Sequence, residues 1–339
     1  MINQTLPVPQ FFDESKVGEI WQVPYSQRTK DAREWKKQYS DQFNSFTSDS
    51  PNVNLILVDV QNTFCIPTGE LYVGGRSGTG AIDDNIRLCK YIYENLPNIT
   101  TISPSLDTHR SIAIFHEIFW VNSNGEHPAP GVTMISVNDV KDGVWKVNPE
   151  ITGVSGKSYA TLQKYALDYV RTLEKNLKYQ LLIWPYHGML LGIGHALVSA
   201  VEEAVFFHSI IKGTMPDIQL KGENPFSESY SILGPEVRNS FNKGQKNTKF
   251  IKSLLSSDII IIAGQAKSHC VYSTIEDLLS EIQSRDPYLA KKVYILEDCM
   301  SSVVIPGVID FTDQADKAFE KFIDAGMNII NSETPIYNL

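Results

Sequence analysis

The chain has 339 residues, with 42% hydrophobic and 20% charged side chains. That is ordinary globular material, enough to build one large α/β domain or two modest ones. A formal net charge of -9, with no long basic run, argues against a nucleic-acid-binding surface.

Residues 1–50 are polar, aromatic and irregular, apart from a short helical pattern in DAREWKKQY. They are expected to form an N-terminal extension wrapped on the main body. The opening MINQTLPVPQFFDESK lacks a basic region followed by an apolar stretch, so no signal peptide is expected. No apolar run is long enough to span a bilayer, and a cytoplasmic chain without membrane contact is the expectation. Residues 51–339 carry the regular pattern. VNLILVDV (53–60) is a β-branched apolar run suited to a central parallel strand. A helix over 81–96, a strand over 99–104 and an amphipathic helix over 157–176 follow, the last feeding a strand at 179–184. A helix at 195–211 precedes a short strand at 215–220. SDIIIIAG (257–264) is the strongest strand pattern, with a helix starting near Cys270. KKVYILED (291–298) is another strand, then a helix at 313–325 and a short strand near MNIINS.

Alternating strands and helices predict a three-layer α/β/α domain with a mostly parallel central sheet of about six strands. Segments near 121–156 and 188–212 read as insertions in that one domain. The polar loop 238–249 reads as solvated chain.

Reactive residues fall repeatedly just after predicted strands. Asp59 ends the first, Asp107 and His109 follow the second, His187 the third and Lys221 the fourth; Cys270 comes after the strand ending at Gly264. In an open parallel sheet these points gather at the C-terminal edge, where ligands bind. A cysteine at a helix start has backbone N–H groups and a dipole that favour a thiolate and a developing oxyanion. Asp59 is placed to exchange a proton with that thiol, and Lys221 to support the charged pair. Position alone also fits an inert buried cysteine, a turn-capping aspartate and a surface lysine.

Asp107 and His109, two residues apart, share one side of extended chain. With His187 from WPYHG they offer one oxygen and two nitrogens. That donor set suits zinc, or iron or manganese with waters completing the shell. His127 is an alternative ligand, while His116 lies in an apolar pattern and reads as structural. His195 and His208 read as packing residues, and Glu202 and Glu203 as facing solvent or an insertion. Cys65, Cys89, Cys270 and Cys299 form no CxxC pair, which argues against a structural zinc finger. The place of a Gly-x-Gly-x-x-Gly turn is taken by DVQNTF, against a dinucleotide site.

The ordered set DVQNTF, SLDTHR, WPYH, LKG and GQAKSHCVYST resembles the isochorismatase-like cysteine hydrolases, and most of all their nicotinamidase branch. The resemblance spans about residues 53–330. It implies the isochorismatase-like hydrolase fold, a triad of Asp59, Lys221 and Cys270, and a cis peptide at Gln265–Ala266. It implies oxyanion donors at the backbone N–H groups of Ala266 and Cys270, and a divalent metal, zinc foremost, on Asp107, His109 and His187. Phe64, Trp184, Tyr230 and His269 would line the substrate pocket. The implied reaction is hydrolysis of nicotinamide to nicotinate and ammonia through a cysteine thioester, with no organic cofactor. Another small amide or ureido compound is the enzymatic alternative, and small-molecule binding without catalysis the non-enzymatic one. Gly188 departs from the cysteine that often follows the metal histidine. The extra segments are expected to cover the pocket or to form the subunit interface of a homo-oligomer.

Overall fold

The computed structural model describes residues 4–44, 50–175, 180–239, 241 and 243–339. Its centre is a sheet of six parallel strands: β1 (Val53–Val58), β2 (Thr101–Asp107), β3 (Gln219–Lys221), β4 (Ile259–Gly264), β5 (Val293–Leu296) and β6 (Asn328–Ile330). Their spatial order is β6-β5-β4-β1-β2-β3. Every pairing in that order is parallel. β1 and β4 are buried along their whole length, as continuous Val/Ile/Leu runs must be when both faces are covered.

Alternation along these strands divides the interior into two cores. Ile56, Val58, Ile260 and Ile262 pack into one, with α3 (Tyr159–Lys175), α5 (Thr248–Ser256), α6 (Tyr272–Arg285) and α7 (Thr312–Asp324). Leu55, Leu57, Ile259 and Ile261 pack into the other, with α1 (Tyr25–Gln38), α2 (Gly80–Glu94) and α4 (Ser199–Lys212). The result is the three-layer α/β/α architecture expected from the sequence. From β1 the chain runs to β2 on one side, and β4 lies on the other. Such a reversal opens a crevice at the C-terminal ends of the strands, here between β1 and β4.

The described part of the first fifty residues packs over α4. Arg28 donates through Nε to Glu203 Oε1 at 2.8 Å, with its guanidinium 3.8 Å from the centre of the Phe11 ring. Lys36 Nζ donates to the Ile211 carbonyl at 2.7 Å, and Tyr25 bonds to Glu202. Glu203 is buried, so the pair expected to face solvent or an insertion faces the N-terminal segment instead. A carboxylate in that position is tolerated because a guanidinium meets it.

The segment expected to be a sheet strand at 179–184 is not one. Residue 179 lies outside the described residues, and only Leu181–Leu182 is extended, pairing antiparallel with Met134–Ile135. Ile183 N–H donates to Thr133 and Trp184 N–H to Phe115, which consumes the backbone donors the sheet would need. The helix expected over 157–176 runs Tyr159–Lys175, and residue 176 lies outside the described residues. The helix expected at 195–211 begins at Ser199, because His195 sits in a preceding 3-10 turn. Residues 121–156 hold short ribbons and two short helices, Val137–Lys141, which starts on a Ser136/Asp139 capping box, and Thr152–Ser155. Residues 240 and 242 of the polar loop lie outside the described residues. Among the described residues, no helix is long and apolar enough to cross a membrane.

Candidate active site

Three strands end in polar side chains at the crevice. Asp59 follows β1 with φ of +48°, a left-handed conformation that an aspartate tolerates better than a β-branched residue. The Gln61 N–H closes the turn on the Asp59 carbonyl at 2.8 Å. Ser105 Oγ donates to Asp59 Oδ1 at 2.6 Å and accepts the Asp59 N–H at 3.0 Å. Asp107 and Lys221 close β2 and β3 as direct register partners. A tight approach admits β4: a Cβ on Gly264, at φ +120°, would sit 2.1 Å from the Val58 carbonyl oxygen. Only glycine allows that contact. The next peptide, Gln265–Ala266, is cis, as the resemblance implied. A π-helical turn over Lys267–Val271 then carries Cys270 into α6.

One ammonium joins these pieces. Lys221 Nζ lies 2.9 Å from Asp59 Oδ2 and 2.9 Å from Asp107 Oδ1. It donates to the Ser229 carbonyl at 2.9 Å and reaches Cys270 Sγ at 3.6 Å. All four side chains are buried. Burial pulls the Lys221 pKa down, but the carboxylates of Asp107 and Asp59 outweigh it and hold it well above the ordinary lysine value. Burial raises Asp59 more than Lys221 lowers it, so this carboxylate binds a proton more readily than a free one. Burial also raises Asp107, yet His109 and Lys221 together hold it well below the usual carboxylate range. Cys270 departs from the thiolate expected at a helix start. Burial, only partly opposed by Lys221 and reinforced by Asp59, pushes its thiol well above the ordinary value. The two nearby carboxylates and the loss of water outweigh the helix end and the lysine.

Asp107, His109 and His187 come together as a buried group whose candidate ligand atoms all lie within 4.8 Å of one another. His109 Nε2 is 2.8 Å and His187 Nε2 3.6 Å from Asp107 Oδ2. His187 arrives on a loop laid beside the end of β2, with His109 N–H donating to Gly188 and Leu190 N–H to His109. The glycine after His187 has a physical reason: at φ +55°, its Cβ would lie 2.7 Å from the Asp107 carbonyl. Gly222 likewise leaves room, since a Cβ there would fall 2.8 Å from Asp107 Oδ1. His187 Nδ1 bonds to the Pro185 carbonyl at 2.7 Å, which turns Nε2 inward. One carboxylate and two imidazoles in a buried cluster, one ring already oriented by a backbone acceptor, fit a divalent cation. His127 is not in this group; its Nδ1 bonds to the Trp120 carbonyl at 2.7 Å. His116 is buried beside Tyr186 and His109, and burial lowers its pKa to about 3. His195 Nε2 pairs with Thr108 Oγ1, and His208 Nε2 with the Ile99 carbonyl.

Phe64, Trp184, Tyr230 and His269 all line a small cavity that also exposes Cys270, Ala266, Asp107 and His187. Trp184 Nε1 donates to Tyr230 Oη at 2.8 Å, fixing both rings. Burial lowers the His269 pKa to about 4, so it is neutral at physiological pH. Lys267 pairs with Glu297 and Asp316.

Sequence reasoning missed Gln61. Its buried amide donates to the Asp107 carbonyl at 3.0 Å and accepts the Asp107 N–H at 2.7 Å, so it clamps the backbone that carries Asp107. Its signal was a polar residue directly after an apolar strand, which must find partners. Ser105 was missed too. A serine on the alternating pattern of a buried strand carried the same signal.

The chain matches no family model and no curated protein sequence. It does match solved structures. With a nicotinamidase/pyrazinamidase of Acinetobacter baumanii it shares 16% identity at a TM-score of 0.50, over 84% of this chain and 99% of that one. A yeast nicotinamidase bound to the inhibitor nicotinaldehyde gives 17% identity and a TM-score of 0.49, over 82% and 99% of the two chains. An N-carbamoylsarcosine amidase of Thermoplasma acidophilum gives 14% identity and 0.41, over 84% and 99%. At 16% identity the first likeness extends to the fold, which is the isochorismatase-like one expected from the motifs.

Proposed function

We propose that the chain is a cysteine amidohydrolase of the isochorismatase-like family, with Cys270 as nucleophile and nicotinamide as the first substrate to test. The carrying observation is that one buried ammonium, Lys221, touches Asp59, Asp107 and Cys270 at the crevice of the sheet. Two buried carboxylates, a lysine and a cysteine are costly to assemble for stability alone.

On this proposal Cys270 rests as a neutral thiol. As Sγ adds to the amide carbon, Asp59 takes its proton, and Lys221 offsets the charge left in the cluster. The Ala266 and Cys270 N–H groups receive the oxyanion. Ala266 N–H has no backbone acceptor among the described residues, so it is available for that purpose. Asp59 then passes its proton to the departing nitrogen; the C–N bond breaks and ammonia leaves a thioester. Water adds to the thioester with Asp59 accepting its proton, the C–S bond breaks, and the proton returns to Sγ with release of the acid. Asp107, His109 and His187 would hold a divalent metal, zinc first and iron or manganese next. Bound there, the ion would supply a Lewis-acid position beside the pocket for a ring nitrogen or a water. Phe64, Trp184, Tyr230 and His269 would pack the ring.

Ammonia release from nicotinamide by metal-replete protein tests the proposal. Turnover lost in Cys270→Ala with an unchanged fold is the expected outcome; full activity in that variant would sink the nucleophile assignment. Elemental analysis that finds no metal, together with full activity under chelation, rejects the metal.

A further inference from the structure

Two cavities meet at the candidate site, and they differ greatly in size. The inner one, at Cys270, has about 30 Å³, room on the order of one or two waters. The outer one has about 520 Å³, within the ordinary range for a small-molecule site. Trp184, Tyr230 and His269 line both, so the two spaces adjoin at these three rings. The inner cavity as it stands accepts a slim head group. The body of a longer molecule has space in the adjoining outer cavity.

The polar chemistry of the outer cleft is one-sided. Glu276 and Asp277 both line it. Glu276 is neutralised, with Lys321 Nζ at 2.6 and 2.8 Å from its two oxygens. Asp277 is half-buried and has no ion pair among the described residues. Gln314 adds a neutral amide to the lining. Asp277 stands seven residues beyond Cys270 along the helical segment that carries both, about 10 Å at the rise of an α-helix. A carboxylate facing a cleft at that distance is a receptor for a cation.

We propose that the outer cleft is a second subsite, which binds the positively charged end of an amide substrate whose scissile group enters the Cys270 cavity. This rests on the amidohydrolase proposal and narrows it: the substrate class is a slim primary amide bearing an ammonium about 10 Å from its carbonyl carbon. Asp277 receives the ammonium, and Trp184, Tyr230 and His269 pack along the spacer.

The test compares octanamide with its ω-amino derivative, a pair that differs in one terminal ammonium. The ω-amino amide should have a kcat/KM at least about fivefold higher, the size of a favourable partly exposed ion pair. Asp277→Asn should bring that ratio toward one, and Gln314→Lys, which puts a like charge in the cleft, should do the same. A ratio near one in the native protein, or a ratio that neither substitution changes, overturns the subsite. Nicotinamide turnover, run alongside, reports on the amidohydrolase proposal separately. If no amide is turned over, calorimetry of the ω-amino amide with Cys270→Ala protein decides the matter. Binding that weakens about fivefold on adding Asp277→Asn upholds the subsite without the chemistry. Absent binding, or equal affinity, overturns it.

Discussion

Replacing Lys221 by methionine keeps most of the side-chain volume and removes the charge that three acidic or ionisable groups share. The native ammonium lies 2.9 Å from Asp59 and 2.9 Å from Asp107, with all of them buried. Removing one partner of a buried ion pair leaves an uncompensated charge and costs about 3–5 kcal/mol. Here two carboxylates lose their cation, so the upper part of that range is expected at pH 7.5. The pH dependence separates this cause from simple loss of packing. Lys221 has a folded pKa above its unfolded value, so its contribution is present below pH 10.5 and fades as pH rises through the folded value. Without it, Asp59 loses the main charge that opposes its burial and is raised further, so at this site the variant's folded state binds a proton more readily than its unfolded state. The deficit should therefore shrink as pH falls from 7.5 toward 5. Urea denaturation of both proteins at the two pH values measures it. A loss under about 1 kcal/mol at pH 7.5, or a deficit that grows on acidification, would refute the charge argument.

Three further outcomes are expected. Burial lowers His208 to about 4, so the unfolded chain takes up its proton first as pH falls below 6.5. Stability should drop by up to about 3 kcal/mol between pH 6.5 and 4, and His208→Gln should flatten that slope in denaturation midpoints. Gly264→Ala would set a Cβ 2.1 Å from the Val58 carbonyl at a φ of +120°, and a loss on the order of 3 kcal/mol or failure to accumulate folded protein should follow. A normal melting profile would show that β1 and β4 have more freedom to part than their packing suggests. Gln61→Met frees the backbone of Asp107 from its clamp, and zinc affinity by competition with a chelator should fall roughly tenfold or more while the chain stays folded. Unchanged affinity would leave Gln61 a purely structural amide.

Several features were legible in the chain itself. Continuous apolar runs at 53–60 and 257–264 announced central parallel strands, because only strands covered on both faces tolerate such composition. Polar residues placed just past those runs announced a cleft, because a sheet that is parallel throughout brings all its C-terminal ends to one edge. The Asp59, Lys221, Cys270 and Asp107, His109, His187 sets followed from that rule and from the motif order. Boundaries shifted by a few residues where turns and caps compete with periodicity, as at His195 before α4.

Other features required the tertiary structure. Leu181–Leu182 has strand composition, yet it pairs with Met134–Ile135, a choice set by which backbone donors happen to be free nearby. Glu203 reads as a surface residue until Arg28, 175 positions away, is laid against it. The state of Cys270 is decided the same way. A helix start alone favours a thiolate, but the sum of burial, two carboxylates and one lysine favours the thiol, and that sum depends on distances between residues far apart in the chain. Periodicity records which face of a segment is buried. It carries no record of what that face meets, and electrostatics and cavities are properties of the meeting.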